Sequence, residues 1–138
     1  MVRVSAVLGV LLAAPAFAHH SIRATYDRKQ PVTITGPVAN FEYQNPHSYV
    51  EVDAKDESGR IVRWTIEIAA VAVLAGRGWT RDTLKPGDVV TVSGYRAKLE
   101  TDRAVAARFV LADGRELLSW PSGTMWPNPT EAEFRSGK

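Results

Sequence analysis

The chain has 138 residues, a formal net charge of +2 and no cysteine. Its length suits one small domain, and 17 basic against 15 acidic residues form no basic cluster of the kind that nucleic-acid binding requires. The absence of cysteine excludes disulfides, thiolate metal sites and cysteine catalysis. The fold must therefore depend on its apolar core.

The first 18 residues have the three parts of a secretory signal peptide. Arg3 supplies a positive start, Val4 to Leu12 is apolar, and Ala16-Phe17-Ala18 is a small-x-small cleavage site. A membrane anchor is the alternative, but the apolar run is shorter than the ~20 residues that a spanning helix needs. We expect cleavage after Ala18, a new amino terminus at His19, and a periplasmic or secreted mature protein without a transmembrane segment.

The next segments predict an N-terminal arm followed by three strands. Residues 19–30 are polar and lack a clear period. Strand signals begin at Pro31, Gly36-Pro37 indicates a bend or bulge, and the strand resumes over Val38 to Tyr43. Period-two alternation then predicts strands over Ser48 to Asp53 and Ile61 to Ile68, with a hairpin turn over residues 55–60.

After the third strand the hydrophobic period changes. Ala69 to Ala75 is typical of a short helix, and Gly76 is a natural C-terminal stop. Two further strands are predicted over Val89 to Tyr95 and Ala104 to Leu111. An Asp113-Gly114 turn then leads to a short strand ending at Leu118. Residues 119–138 are rich in Pro, Gly and Ser, and we expect their tryptophans, Trp120 and Trp126, to dock on the barrel or on a partner.

The order of three strands, one short helix and two strands predicts an all-β fold. It is the order of an OB-like five-stranded Greek-key barrel, in which the helix follows the third strand. Closure would also remove exposed sheet edges. An open β-sandwich is the alternative, although a short sandwich usually lacks the central helix. The predicted organisation is a signal peptide over 1–18, an arm over 19–30, the barrel over 31–118 and a tail over 119–138.

Four motifs resemble a known family: His19-His20-Ser21, Asn45-Pro46-His47, the run from Gly78 to Asp88, and Gly94-Tyr95-Arg96-Ala97-Lys98. They are similar to those of the bacterial domain-of-unknown-function family 6152. The resemblance runs from about His19 to Leu118. It implies a small secreted or periplasmic β-barrel and brings no established activity.

The predicted second and third strands bring a histidine beside a carboxylate. Alternation places His47 and Tyr49 on the outer face of the second strand and the valines at 50 and 52 inside. Pairing Val52 with Val62 buries apolar residues opposite each other. The other cross-strand pairs that follow are Val50–Trp64, Glu51–Arg63, Tyr49–Thr65 and His47–Glu67.

These residues suggest a metal site. After cleavage, the free amine and the imidazoles of His19 and His20 form a natural chelate, and His47 adds a further ligand with Glu67 orienting its ring. Amine and imidazole nitrogens suit Cu(II) best among divalent first-row ions, so copper is the expected metal. Alternatively, the histidine pair is a solvated arm and His47 is satisfied by Glu67 or by loop backbone.

Catalytic patterns are weaker, so we expect a binding module rather than an enzyme. The carboxylates Glu42, Glu51, Asp53 and Glu67 could form a glycosidase pair, but exposed strand acids usually make a solvated face. The serines lack a Gly-x-Ser-x-Gly elbow. Tyr49 points outward and is the aromatic residue open to ligand contact. The alternative function is an accessory module of the cell envelope that binds a small ligand or a protein partner, without metal or catalysis.

Overall fold

The fold is seen in a computed structural model that describes residues 22–120. A short helix, α1 (Ile22–Thr25), leads directly into the long strand β1 (Tyr26–Glu42). The remaining elements are β2 (Ser48–Lys55), β3 (Ile61–Ile68), α2 (Val71–Ala75), β4 (Val89–Ala97), β5 (Arg103–Leu111) and β6 (Glu116–Leu118).

Strand β1 belongs to both halves of the sheet because it changes partner along its length. Its first part pairs antiparallel with β4, and from Val38 onward it pairs antiparallel with β2. The change comes directly after Gly36-Pro37, where the sequence indicates a bend. A Cβ at Gly36 would lie 2.1 Å from the backbone oxygen of Asp53, so only glycine allows this close approach of β1 to β2.

The sheet closes into a ring through pairing between β3 and β5. The strand order is β3-β2-β1-β4-β5-β6, and β3 also pairs parallel with β5 over Thr65–Glu67 and Arg103–Val105. Five strands therefore form a ring, and β6 lies outside it on β5. Helix α2 follows β3, and Gly76 forms its C-cap. This all-β arrangement with a short helix is the predicted OB-like barrel.

The inner face of the ring is the hydrophobic core. Val50, Val52, Ile66 and Ile68 are fully buried, which confirms the faces predicted from alternation in β2 and β3. Trp79 fills the core beneath α2, where its ring meets Phe109 at 5.3 Å between centroids and its indole N–H donates to the backbone oxygen of Leu118 at 3.0 Å. A buried indole with a partner adds apolar contact without an unpaired donor.

A second, smaller apolar cluster lies on the outer side of the barrel. It contains Tyr26, Tyr95, Ala97 and Val105, and Ile22, Ala107 and Trp120 pack against it. Residues 26–30, which the sequence places in the N-terminal arm, therefore form the first part of β1. Both ends of the described chain cover one patch of the outer sheet.

None of the helices within residues 22–120 has the length and apolar character needed to cross a membrane.

Candidate functional site

The loop before β2 holds His47 in a defined position. Ser48 is buried, and its hydroxyl accepts from the Gln44 amide at 3.1 Å and donates to the Gln44 carbonyl at 3.0 Å. The Asn45 side chain accepts from the Val71 amide at 3.1 Å, which connects the loop to α2. The Asn45–Pro46 peptide bond is cis. These contacts place the His47 ring beside the outer face of β3.

Glu67 projects from that outer face but is only 6 % exposed. One carboxylate oxygen, Oε1, lies 2.6 Å from Nδ1 of His47. The other, Oε2, accepts from the Tyr26 hydroxyl at 2.5 Å and from Nη2 of Arg103 at 3.2 Å. A buried carboxylate needs such partners, because removing its charge from water is costly unless it is paired and hydrogen-bonded. We call His47, Glu67, Tyr26, Arg103 and Tyr49 the Glu67 cluster.

Tyr26 covers the carboxylate from the start of β1. Its side chain is almost completely buried. Burial raises the pKa of Tyr26 well above the ordinary value of 10.0, and the hydrogen bond to Glu67 and the negative charge of that residue raise it further. The hydroxyl therefore remains a proton donor to Glu67 over the physiological pH range.

Arg103, at the start of β5, closes the cluster on the other side. Its Nε donates to the Tyr26 oxygen at 3.1 Å, and its Nη1 lies 3.4 Å from Glu100. Burial alone would lower the pKa of Arg103, but its contacts with Tyr26 and Glu67 outweigh that effect and raise it. The Arg103 guanidinium carbon also lies 5.8 Å from the Tyr49 ring centre. This arginine thus joins both tyrosines to the buried carboxylate.

Tyr49 lies directly opposite Glu67 on β2 and is partly exposed. Burial raises the pKa of Tyr49, and the nearby charge of Glu67 adds to the effect. The predicted outward direction of Tyr49 is thus observed, with one side of its ring toward Arg103. Whether this ring contacts a ligand remains a prediction.

The His47–Glu67 contact is confirmed, but the predicted strand register is wrong by two residues. Val52 pairs with Trp64, and Tyr49 pairs with Glu67. The predicted Glu51–Arg63 pair is replaced by Asp53 and Arg63, joined by two hydrogen bonds of 2.8 Å. A two-residue slip leaves every side chain on the same face, so apolar alternation could not distinguish the two registers. The turn over residues 56–60 closes the hairpin one residue later than the sequence suggested.

The sequence profile of a family of unknown function, DUF6152, matches residues 8–105, which is more than half of the chain. The chain belongs to this family. A comparison with the curated proteins finds no match. Membership of DUF6152 confirms the resemblance drawn from the sequence motifs and carries no activity with it.

The arrangement can orient a histidine for metal binding. In many metal sites the ligating histidine donates its second ring nitrogen to a carboxylate, which fixes the ring and its tautomer. Here Nδ1 contacts Glu67, so a metal would bind at Nε2. Both oxygens of Glu67 already accept from donors, which gives this residue an orienting role rather than that of a ligand. Residues 22–120 contain no group of three or more His, Cys, Asp or Glu placed to hold a metal ion. His19 and His20 lie outside the described residues.

Three residues that surround this DUF6152 site were not predicted from the sequence. Tyr26 and Arg103 contact Glu67, and the Trp120 ring lies 5.3 Å from that of His47 in an edge-on arrangement. The OB-like strand order held a signal for Arg103, because the start of the fifth strand meets the third strand in such barrels. Docking of Trp120 on the barrel agrees with the prediction for the tail, and Trp126 lies outside the described residues.

Proposed function

We propose that this protein is an exported binding barrel that holds Cu(II) between its processed N-terminus and its outer sheet face. The ligands are the free amine and imidazole of His19, the imidazole of His20, and Nε2 of His47. The observation that carries the proposal is the 2.6 Å contact between Nδ1 of His47 and Oε1 of Glu67. A buried carboxylate with two further donors is a rigid support for a ligating ring.

Chain connectivity supports the participation of the histidine pair. Ile22 packs against the outer cluster that contains Tyr26, and Trp120 packs against the same cluster while contacting the His47 ring. His20 precedes Ile22 by two residues, so their Cα atoms are separated by at most about 7 Å. The described part of the chain thus begins beside the patch where His47 lies.

Export is the other part of the proposal, because the chelating amine exists only after cleavage. The positive start, apolar run and Ala16-Phe17-Ala18 site support processing to His19. Amino-terminal sequencing of protein recovered from the periplasm or medium should read His-His-Ser. A mature protein that retains Leu11-Leu12 would remove the amine from the site and overturn this ligand set.

Copper titration of three proteins tests the metal site. The reference begins at His19, the second is the same protein acetylated at its terminal amine, and the third carries His47→Ala. Acetylation removes the amine from the chelate, and His47→Ala removes the ligand supplied by the fold, so both should bind Cu(II) at least about tenfold more weakly by calorimetry. Electron paramagnetic resonance should show one coordinated nitrogen fewer in His47→Ala than in the reference.

Each outcome assigns the function differently. Equal affinity for the free and the acetylated proteins would contradict the N-terminal site. An effect of acetylation without any effect of His47→Ala, in affinity or in coordinated nitrogens, would leave a chelate on a flexible arm. That result would favour the accessory module, which works without metal.

A further inference from the structure

The barrel is open where β3 begins, beside the turn that follows β2. Pairing between β3 and β5 begins only at Thr65 and Arg103, so the first residues of β3 have no strand on their outer side. The opening lies beside Lys55, at the far end of β2 from Ser48, and seven residues of strand separate the two ends by about 23 Å. This opening, which we call the barrel mouth, contains the inward-facing ring of Trp64, whereas His47 and Glu67 lie on the outer face, so the opening is distinct from the proposed copper site.

The barrel mouth contains a groove of about 680 Å³. That volume is within the range of small-molecule sites, which are typically about 300–1,000 Å³. Its floor is apolar and is formed by inward-facing side chains of three strands: Val32, Ile34, Ala54, Val62 and Trp64. The turn over residues 56–60 and the loop between β4 and β5 form its walls.

Arg96 is the half-buried cation of this groove. Its guanidinium carbon lies 4.6 Å from the centre of the Trp64 ring, and its Nη1 donates to the Thr101 carbonyl at 3.0 Å. Within residues 22–120, Arg96 forms no ion pair with a carboxylate. A guanidinium has five N–H donors, so most of its hydrogen-bonding capacity remains for a ligand.

The other charged groups of the groove are placed differently. Asp56 is paired with Arg60 at 3.0 Å and accepts from the amides of the turn. Lys55, Glu57 and Asp102 are exposed on the rim, where water screens their charges. Arg96, which stacks on Trp64, is therefore the charged group in contact with the apolar floor.

We propose that the barrel mouth binds a small organic anion with an apolar body. The carboxylate of such a ligand would accept from Arg96, whose planar fork matches carboxylate geometry, while its hydrocarbon part covers the floor around Trp64 and Val62. This site is independent of copper and of the N-terminal histidines.

A matched pair of probes tests the charge preference. Decanoate and decylammonium have the same hydrocarbon chain with opposite head-group charge, and both are titrated below their micellar concentrations into isotopically labelled full-length protein. Decanoate should shift the NMR signals of the Trp64 indole N–H and the Val62 amide. Its affinity should exceed that of decylammonium by about tenfold or more, since only the carboxylate can accept charge-assisted hydrogen bonds from Arg96.

Variants at Arg96 identify the anion partner. Arg96→Gln should weaken decanoate binding by about tenfold, whereas Arg96→Lys retains the charge and should recover much of the preference. Arg63→Gln is the matched control and should leave decanoate binding unchanged. Arg63 lies on the outer face of the β2–β3 hairpin, away from the groove, and is bonded to Asp53. If Arg96→Gln fails to fold, the proposal is still tested by the affinities of the unchanged protein for the two probes and by decanoate binding to Arg96→Lys.

Three results would overturn the proposal. These are equal affinities for the two probes, signal shifts confined to residues outside the groove, and the absence of any shift at millimolar decanoate. Decanoate binding that is unchanged in a folded Arg96→Gln protein would exclude Arg96 as the partner and would likewise overturn it.

Discussion

The two ends of the β2–β3 hairpin carry similar charged groups in opposite surroundings. Near the turn, Asp53 pairs with Arg63 and Asp56 pairs with Arg60, all at the surface. At the other end Glu67 is 6 % exposed and holds three donors. The difference comes from what covers the strands, because the start of β1 and Trp120 lie over one end only.

This difference sets where charge affects stability. Exposed ion pairs contribute little, since water screens them and ordering two long side chains costs entropy. A buried carboxylate with partly buried partners contributes more to stability. Loss of its charge leaves the positive charge and hydrogen-bond donors of those partners without compensation. We therefore expect Glu67 to dominate the electrostatic stability of the hairpin.

The largest expected effect is that of Glu67→Gln. The amide cannot accept from His47, Tyr26 and Arg103 together, and the positive charge of Arg103 loses its buried partner. The free energy of unfolding should fall by about 3 kcal/mol, measured by urea denaturation at neutral pH. Asp53→Asn is the control, because it removes a carboxylate from the exposed pair on the same hairpin, and it should change the urea midpoint very little. Similar midpoints for the two variants would mean that burial does not distinguish the two ends.

The hairpin also shows which parts of the fold a sequence can predict. The bounds of β3 and the faces of β2 and β3 follow from alternation, because a period of two records which side chains meet the core. The strand register does not follow from alternation. The observed pairing of Val52 with Trp64 and the predicted pairing of Val52 with Val62 bury the same faces.

The site shows a second limit of sequence reasoning. His47 and Glu67 lie on neighbouring strands, and their contact was predictable from the hairpin. Tyr26 lies in a polar stretch without a period, and Arg103 follows Glu67 by 36 residues. Their contacts with Glu67 depend on closure of the ring between β3 and β5 and on the path of β1 over the outer face. Such contacts require the assembled topology.

Alkaline pH should destabilise the protein through the buried end of the hairpin, where Tyr26 contacts Glu67. Burial and the contact with Glu67 raise the pKa of Tyr26, whereas the unfolded chain ionises near the ordinary value of 10.0. The stabilisation is therefore fully present below pH 10.0 and is lost as the pH rises above it, by up to about 1.4 kcal/mol for each pH unit.

Tyr26→Phe provides the comparison for this effect. The variant should be less stable at neutral pH, because Glu67 loses a donor, but its unfolding free energy should fall less steeply above pH 10.0. Urea denaturation at several alkaline pH values measures the two slopes. Tyr49→Phe should reduce the slope by a smaller amount, because burial and Glu67 also raise the pKa of Tyr49 while its ring is more exposed. Identical slopes for Tyr26→Phe and the unchanged protein would contradict the assignment of the raised pKa to Tyr26.

The smallest expected effect is at the turn itself. Asp56 accepts from the amides of Ser58 and Arg60 at 2.9 and 3.0 Å, so Asp56→Ala should speed hydrogen exchange of those two amides. The register of β2 and β3 should persist, because the Glu67 cluster and the β3–β5 pairing hold the other end. Cross-strand NOEs between Val52 and Trp64, with unchanged urea stability within error, are the expected result. Replacement of these NOEs by Val52–Val62 contacts would show that the exposed turn, rather than the buried cluster, determines the register.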